Sequence, residues 1–176
     1  NVRLDVNAIA QGYAVDVVAR FLDEKGVSDY MVEIGGEIRT RGRNGRGVPW
    51  RIGIDKPVFG NRIPGEELQR IVAFSDRSLA SSGNYRKYYE MDGKKIVHTV
   101  NPRSGYTRIN QLLSATIITG ECITADAIAT SCMVLGVDEG RELVESMDDV
   151  EAYFIYSDDS GVFMEWYTDG MEMYLE

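Results

Sequence analysis

Apolar and polar positions change rhythm several times along the chain, and each change predicts an element. Across residues 8–25, Ile9, Tyr13, Val17, Val18 and Phe21 recur at helical spacing, and Gly26 follows as the residue expected just past a helix end. Residues 2–6 alternate ahead of it and predict a strand. Residues 29–34 and 37–42 predict two strands joined by Gly35-Gly36. Residues 43–49 read as a loop, 50–55 as a strand and 57–65 as a surface loop with two Pro and two Gly. Short strands are predicted at 68–75 and 78–82. Strands at 85–91 and 94–100 flank Asp92-Gly93, a hairpin signal of the primed type. A Thr- and Ile-rich strand at 112–119 leads to helices at 124–135, stopped by Gly136, and at 137–147. The last hairpin pairs 150–156 with 161–166 around Asp158 to Gly161. Hairpins interspersed with two or three packed helices predict an α+β fold with mixed, largely antiparallel sheets. No repeat or linker divides residues 1–176, which read as a single domain.

Composition narrows the function. The 176 residues are 44% apolar and 27% charged, a globular balance, and no apolar run reaches the ~18 residues needed to span a bilayer. The formal net charge of −9 argues against nucleic acid as a partner. It also means that an anionic substrate would need a cation, backbone N–H groups or a few Arg. The chain opens on Asn1 rather than Met, with no secretory signal, and reads as a processed or truncated product. Cys122 and Cys132 fall in one predicted helix, about 15 Å apart along its axis, too far for a disulfide. They read as two small buried hydrophobes.

Five segments carry candidate chemistry, and each also has an ordinary structural explanation. In Thr124 to Thr130, Asp126 and Thr130 stand at i and i+4 on one helix face. A carboxylate and a hydroxyl suit a hard cation such as magnesium. Equally, Asp126 is a first-turn residue favoured by the helix dipole, and Thr130 bonds back to its own helix. Leu4 to Asp16 passes from strand to helix over small residues and offers a helix N-terminus to a phosphate. Asn7 as N-cap and Gly12 as a packing contact explain it as well. Gly35-Gly36 permits close approach of a ligand, or simply turns the chain. Ser81-Ser82-Gly83-Asn84-Tyr85 reads as a turn able to hold phosphate oxygens. His98, the only histidine, could take a proton from a nucleophile or be structural. Arg39, Arg41 and Arg43 lie on one side of a strand and read either as phosphate contacts or as a charged, solvated edge. No P-loop, nucleophile elbow or zinc spacing is present.

Taken together and in order, these segments resemble the FAD:protein FMN transferases of the ApbE family. Leu4-Asp5 through Gly12-Tyr13-Ala14-Val15-Asp16 is similar to the opening L-D-x-G-G-I-A-K-G-Y-A-x-D. Ile34-Gly35-Gly36-Glu37-Ile38 is similar to I-G-G-[DE]-I, and Trp50 to Ile54 to W-x-[IV]-G-I. Ser82-Gly83-Asn84-Tyr85 resembles S-G-[DN]-Y. His98 to Gly105 resembles H-[IT]-x-[DN]-P-x-[ST]-G, and Ala125-Asp126-Ala127 through Thr130 resembles A-D-A-x-A-T. Asn7-Ala8 stands where the family has Gly-Gly, Gln11 where Lys is common, Asn101 for Asp, and Thr124 where a further Asp is frequent.

The resemblance implies a Mg2+-dependent enzyme that transfers FMN from FAD to a Ser or Thr hydroxyl of an acceptor protein and releases AMP. It implies Asp126, Thr130 and the Ala10 carbonyl as metal ligands. Gly35, Gly36, Glu37, Ser82, Gly83 and His98 would be flavin-nucleotide contacts, with His98 as the catalytic base. It further implies an acceptor segment of the form D-x-x-[ST]-G-A-[ST], an N-terminal part missing from this chain, and a lipid anchor on the periplasmic side of a bacterial membrane. An FAD diphosphatase and a flavin-binding protein without turnover are the alternatives.

Overall fold

The computed structural model describes residues 5–58, 65–83, 88–91, 94–97, 105 and 110–176. The chain opens with helix α1 (Asn7–Glu24) and continues through strands β1 (Tyr30–Ile34), β2 (Glu37–Arg41), β3 (Trp50–Asp55), β4 (Leu68–Phe74) and β5 (Ser78–Gly83). Strands β6 (Tyr88–Met91), β7 (Lys94–Val97) and β8 (Leu112–Thr119) precede helices α2 (Cys122–Leu135) and α3 (Val137–Glu145). Strands β9 (Glu151–Ser157) and β10 (Phe163–Tyr167) and a short 3-10 helix, Asp169–Tyr174, complete it.

Six strands form one sheet in the order β1-β2-β5-β8-β9-β10, every neighbour antiparallel. β3 and β4 form a separate antiparallel hairpin, as do β6 and β7. The sheet is buried on both faces because its central strands alternate apolar residues between two cores. Ala80, Ala115, Ile117, Ala152 and Phe154 turn one way and pack with Ile128, Ala129 and Cys132 of α2. Their strand neighbours Leu79, Ile118, Tyr153 and Ile155 turn the other way and meet Ile52, Val72 and Phe74 of the β3–β4 hairpin. The result is three layers: helices, six-stranded sheet, two-stranded hairpin. The expected α+β class with antiparallel sheets holds.

Helix α1 lies over the edge of the sheet. Its buried positions are Gly12, Val15, Asp16 and Ala19, one stripe at helical spacing. Val15 and Ala19 pack on Tyr30, Val32 and Cys122. Arg39 and Arg41, two residues apart on β2, reach up to Asp16 and Asp23, seven apart on α1. This corrects the reading of Arg39 as part of a solvated charged edge, since it is partly buried against Asp16, while Arg41 stays exposed in its pair with Asp23. Asp23 is held below the usual carboxylate range, chiefly by Arg41.

Other boundaries shift for identifiable reasons. Residues 1–4 of the expected first strand lie outside the described residues, and Asp5 and Val6 are not in a strand. Asn7 is inside α1 rather than its cap: its backbone N–H donates to Asp5 Oδ1 at 2.8 Å and its side-chain amide to Asp5 Oδ2 at 3.2 Å. α2 starts at Cys122, two residues earlier than expected. The expected hairpin at Asp92-Gly93 forms with Met91 opposite Lys94, while the two turn residues lie outside the described residues.

Cys122 and Cys132 are both free and fully buried, as expected. Burial pushes the Cys132 thiol up to about 12, and the Cys122 thiol higher, with Asp16, Glu37 and Asp126 adding to the effect of burial there. Neither thiol is therefore expected to react with a disulfide reagent in the native protein, and both should react in guanidinium. Rapid labelling of either in the folded state would contradict the packing.

Candidate functional site

The site forms where the first turns of α1 meet α2. Helix α2 packs between α1 and the sheet, and its approach to α1 is close enough that only glycine fits at position 12. A Cβ there would stand 2.4 Å from the Cys122 carbonyl oxygen and 2.8 Å from the Ile123 Cα. At this contact the Gly12 N–H donates to Asp126 Oδ2 at 2.9 Å. The bond joins residues 114 positions apart and places the Gly12 backbone against Asp126.

Asp126 sits in the second turn of α2, not the first, so the helix dipole does not account for it. It is buried, at 5% exposure. Desolvation raises its pKa above the usual carboxylate value, opposed by the Gly12 N–H. One turn along α2, Thr130 faces β5: its hydroxyl lies 3.3 Å from Ser82 Oγ. Ser131, not Thr130, bonds back to its own helix, at Ala127 O.

Ser81 and Ser82 are strand residues of β5, as the strand expected at 78–82 requires, and Gly83 extends that strand by one residue into the expected turn. Ser82 pairs with Ala115 and Gly83 with Ser114 of β8, and Ser81 Oγ meets Thr116 Oγ1 at 2.8 Å. Gly35 and Gly36 form the two-residue turn between β1 and β2, with φ of 70° and 109°. Positive φ at both positions is what such a turn requires, and it explains the Gly pair. The turn also touches α1: a Cβ on Gly35 would stand 1.8 Å from the Gln11 side-chain nitrogen and 3.4 Å from Glu37 Oε2. Glu37, the first residue of β2, is buried.

Thus Gly12 is joined to Asp126 by a hydrogen bond and Thr130, one turn along α2, to Ser82 through their hydroxyls, with Gln11 next to Gly12 in α1. The structure joins Gly35, Gly36 and Glu37 to them through Gln11. His98 lies outside the described residues, as do Asn84, Tyr85 and residues 99–104.

A model described as the ApbE family matches residues 1–154. The chain belongs to the ApbE family. A FAD:protein FMN transferase of Vibrio cholerae is 40% identical over 172 residues, 98% of this chain and 50% of that protein. One from Haemophilus influenzae is 38% identical over 161 residues, 91% of this chain and 45% of that protein. Among solved structures, the flavin transferase ApbE from Vibrio cholerae superposes with a TM-score of 0.83 at 38% identity, over 98% of this chain and 52% of that one. The chain spans about half the length of the curated relatives it matches.

One residue to which the sequence pattern assigns no role lies buried beneath this candidate site. Asp16 is a carboxylate on the buried stripe of α1, at 1% exposure. It accepts from the Cys122 N–H at 3.1 Å, the Ile123 N–H at 2.9 Å and Arg39 Nη1 at 2.6 Å. Its signal was present in the sequence: an acid at helical spacing among Gly12, Val15 and Ala19 must be paired once buried.

Proposed function

We propose that this chain is the C-terminal catalytic portion of an FAD:protein FMN transferase, acting with Mg2+ on a Ser or Thr hydroxyl of an acceptor protein. The observation that carries the reading is the Gly12–Asp126 bond. It gathers two segments that resemble separate ApbE motifs, 114 positions apart, into one oxygen-rich corner next to Ser82.

The residues present fit a magnesium ion. Asp126 carboxylate, Thr130 hydroxyl and the Ala10 carbonyl are all hard oxygen donors. A cation there would offset the desolvation that holds the Asp126 pKa up. Bound there, Mg2+ supplies charge neutralisation of the FAD diphosphate and of the departing AMP. Asp126 and Thr130 hold and orient it. Gly35, Gly36, Glu37, Ser82 and Gly83 line the flavin nucleotide, where the glycines allow close approach of the backbone. The acceptor hydroxyl attacks the phosphorus of the FMN half, the bond to AMP breaks, and His98 accepts the hydroxyl proton. An acceptor segment of the form D-x-x-[ST]-G-A-[ST] and a lipid anchor on the periplasmic side belong to the same proposal. Among the described residues, no helix is long and apolar enough to cross a membrane.

The test incubates the complete protein carrying this chain with FAD, Mg2+ and a small acceptor protein bearing that segment. Flavin fluorescence that stays with the acceptor on a denaturing gel, and disappears without Mg2+, is the expected result. AMP release with no labelled acceptor would replace the transferase with a diphosphatase. Neither product would remove catalysis from the reading and leave a flavin-binding protein.

A further inference from the structure

Helix α2 carries Asp126, yet nothing near its own N-terminus caps it. Glu121 occupies the N-cap position and makes no side-chain cap bond. The free N–H groups of Cys122 and Ile123, the first two residues of the helix, are met instead by Asp16, 106 and 107 positions earlier on α1. One turn further along α2, Asp126 accepts the Gly12 N–H, and Gly12 lies one turn before Asp16 on α1. Two carboxylate bridges therefore cross between the helices in opposite directions. A single bridge would fix a distance and leave α2 free to rotate about it. Two bridges a turn apart fix both slide and rotation.

The identity of residue 16 matters for this arrangement. A carboxylate can accept from all three of its donors, two backbone N–H groups and the Arg39 guanidinium. Its charge suits both the helix N-terminus and Arg39. An amide of the same shape would turn an NH2 group toward at least one donor.

We propose that Asp16, balanced by Arg39, is a positioning residue for the cation site: it sets α2 against α1 so that the Asp126 carboxylate and the Ala10 backbone face one divalent ion. The proposal rests on the cation site proposed above. It explains why the acid of the Gly12-Tyr13-Ala14-Val15-Asp16 segment lies buried beneath the site rather than in it.

The test uses the complete protein with Mn2+ as the probe. Bound Mn2+ is read by electron paramagnetic resonance in the presence of FAD, and amide exchange is followed by mass spectrometry across residues 121–127. In Asp16→Asn, exchange at Cys122 and Ile123 is expected to quicken and Mn2+ affinity to fall about 10–100-fold, the usual cost of losing a group that orients a metal ligand. Asp16→Glu keeps the charge but pushes the cap out by one methylene. It is expected to weaken Mn2+ in a protein that still folds, which covers the case of a poorly folding Asn variant. A folded Asp16→Asn or Asp16→Glu variant that binds Mn2+ as tightly as the native protein, while Asp126→Asn does not bind it, would overturn the positioning role alone. Native-like Mn2+ binding by Asp126→Asn would instead overturn the cation site, and this proposal with it.

Discussion

Asp126→Asn is expected to lower FMN transfer by at least about 100-fold, the scale of removing a principal charge contact from a reacting phosphate. At the same time it should make the cation-free protein more stable, not less. The two effects share one cause. Asp126 is a buried carboxylate whose described partners include the Gly12 N–H and no positive side chain. An Asn at this position can still accept that N–H through its side-chain oxygen, and it carries no charge to desolvate. Relief of even ~1 kcal/mol would raise Tm by about 2–4 °C in a domain of this size. The pH dependence follows from the direction of the shift. The folded pKa is raised, so on acidification the native protein binds a proton before the unfolded chain does. Its stability therefore rises as pH falls from the folded value toward the ordinary carboxylate value. Asn shows no such change. The Tm advantage of the variant should thus be present near neutral pH and shrink through that acid range. Calorimetric melts across pH, with and without Mg2+, check both halves. Full transfer by Asp126→Asn, or a Tm that drops at neutral pH without Mg2+, would mean that the carboxylate is structural and holds no cation.

Much of the scaffold was readable because its signals are local. Gly26 and Gly136 end their helices at the expected places, Gly35-Gly36 forms the turn its composition suggests, and the alternation at residues 50–55 is a strand. The misreadings fall where a distant residue decides a local outcome. The helical pattern predicts a start of α2 at Thr124, and the helix begins at Cys122. The cap is Asp16, out of reach of any local window. Arg39 reads as part of a solvated edge because a strand pattern does not say what lies above it, and here α1 supplies the buried Asp16. The site was readable as a set of motifs in order. Their convergence was not, since it depends on α2 packing against both α1 and β5. Thr130 shows the limit: spacing put it on the Asp126 face, and only the fold shows that Ser82 meets it there.

Gly12→Ala is expected to be the most damaging conservative change in the described chain. In an isolated helix the substitution would help, by roughly 1 kcal/mol. Here the added methyl meets the Cys122 carbonyl oxygen at 2.4 Å, its carbon at 2.7 Å and the Ile123 Cα at 2.8 Å. All three are backbone atoms of α2, so no side-chain rotation relieves the contact and the helices must move apart. Overpacking of this kind costs ~1–3 kcal/mol. The movement also stretches the Gly12–Asp126 bond and the Asp16 contacts to Cys122 and Ile123. Hydrogen bonds to charged groups are worth ~1.5–3 kcal/mol. After the gain in helix propensity, a net loss of about 2–4 kcal/mol remains, or a Tm lower by roughly 4–16 °C. Gly36→Ala is the matching control. Its methyl would meet nothing within 4 Å, so its cost is confined to a φ of 109°. The pair separates strain in one turn from loss of the helix contact. If the site depends on how closely α1 and α2 approach, Gly12→Ala should also lose Mg2+-dependent transfer at temperatures where it is fully folded. A Gly12→Ala protein with native stability and native transfer would show that the close approach of the two helices is not what places Asp126.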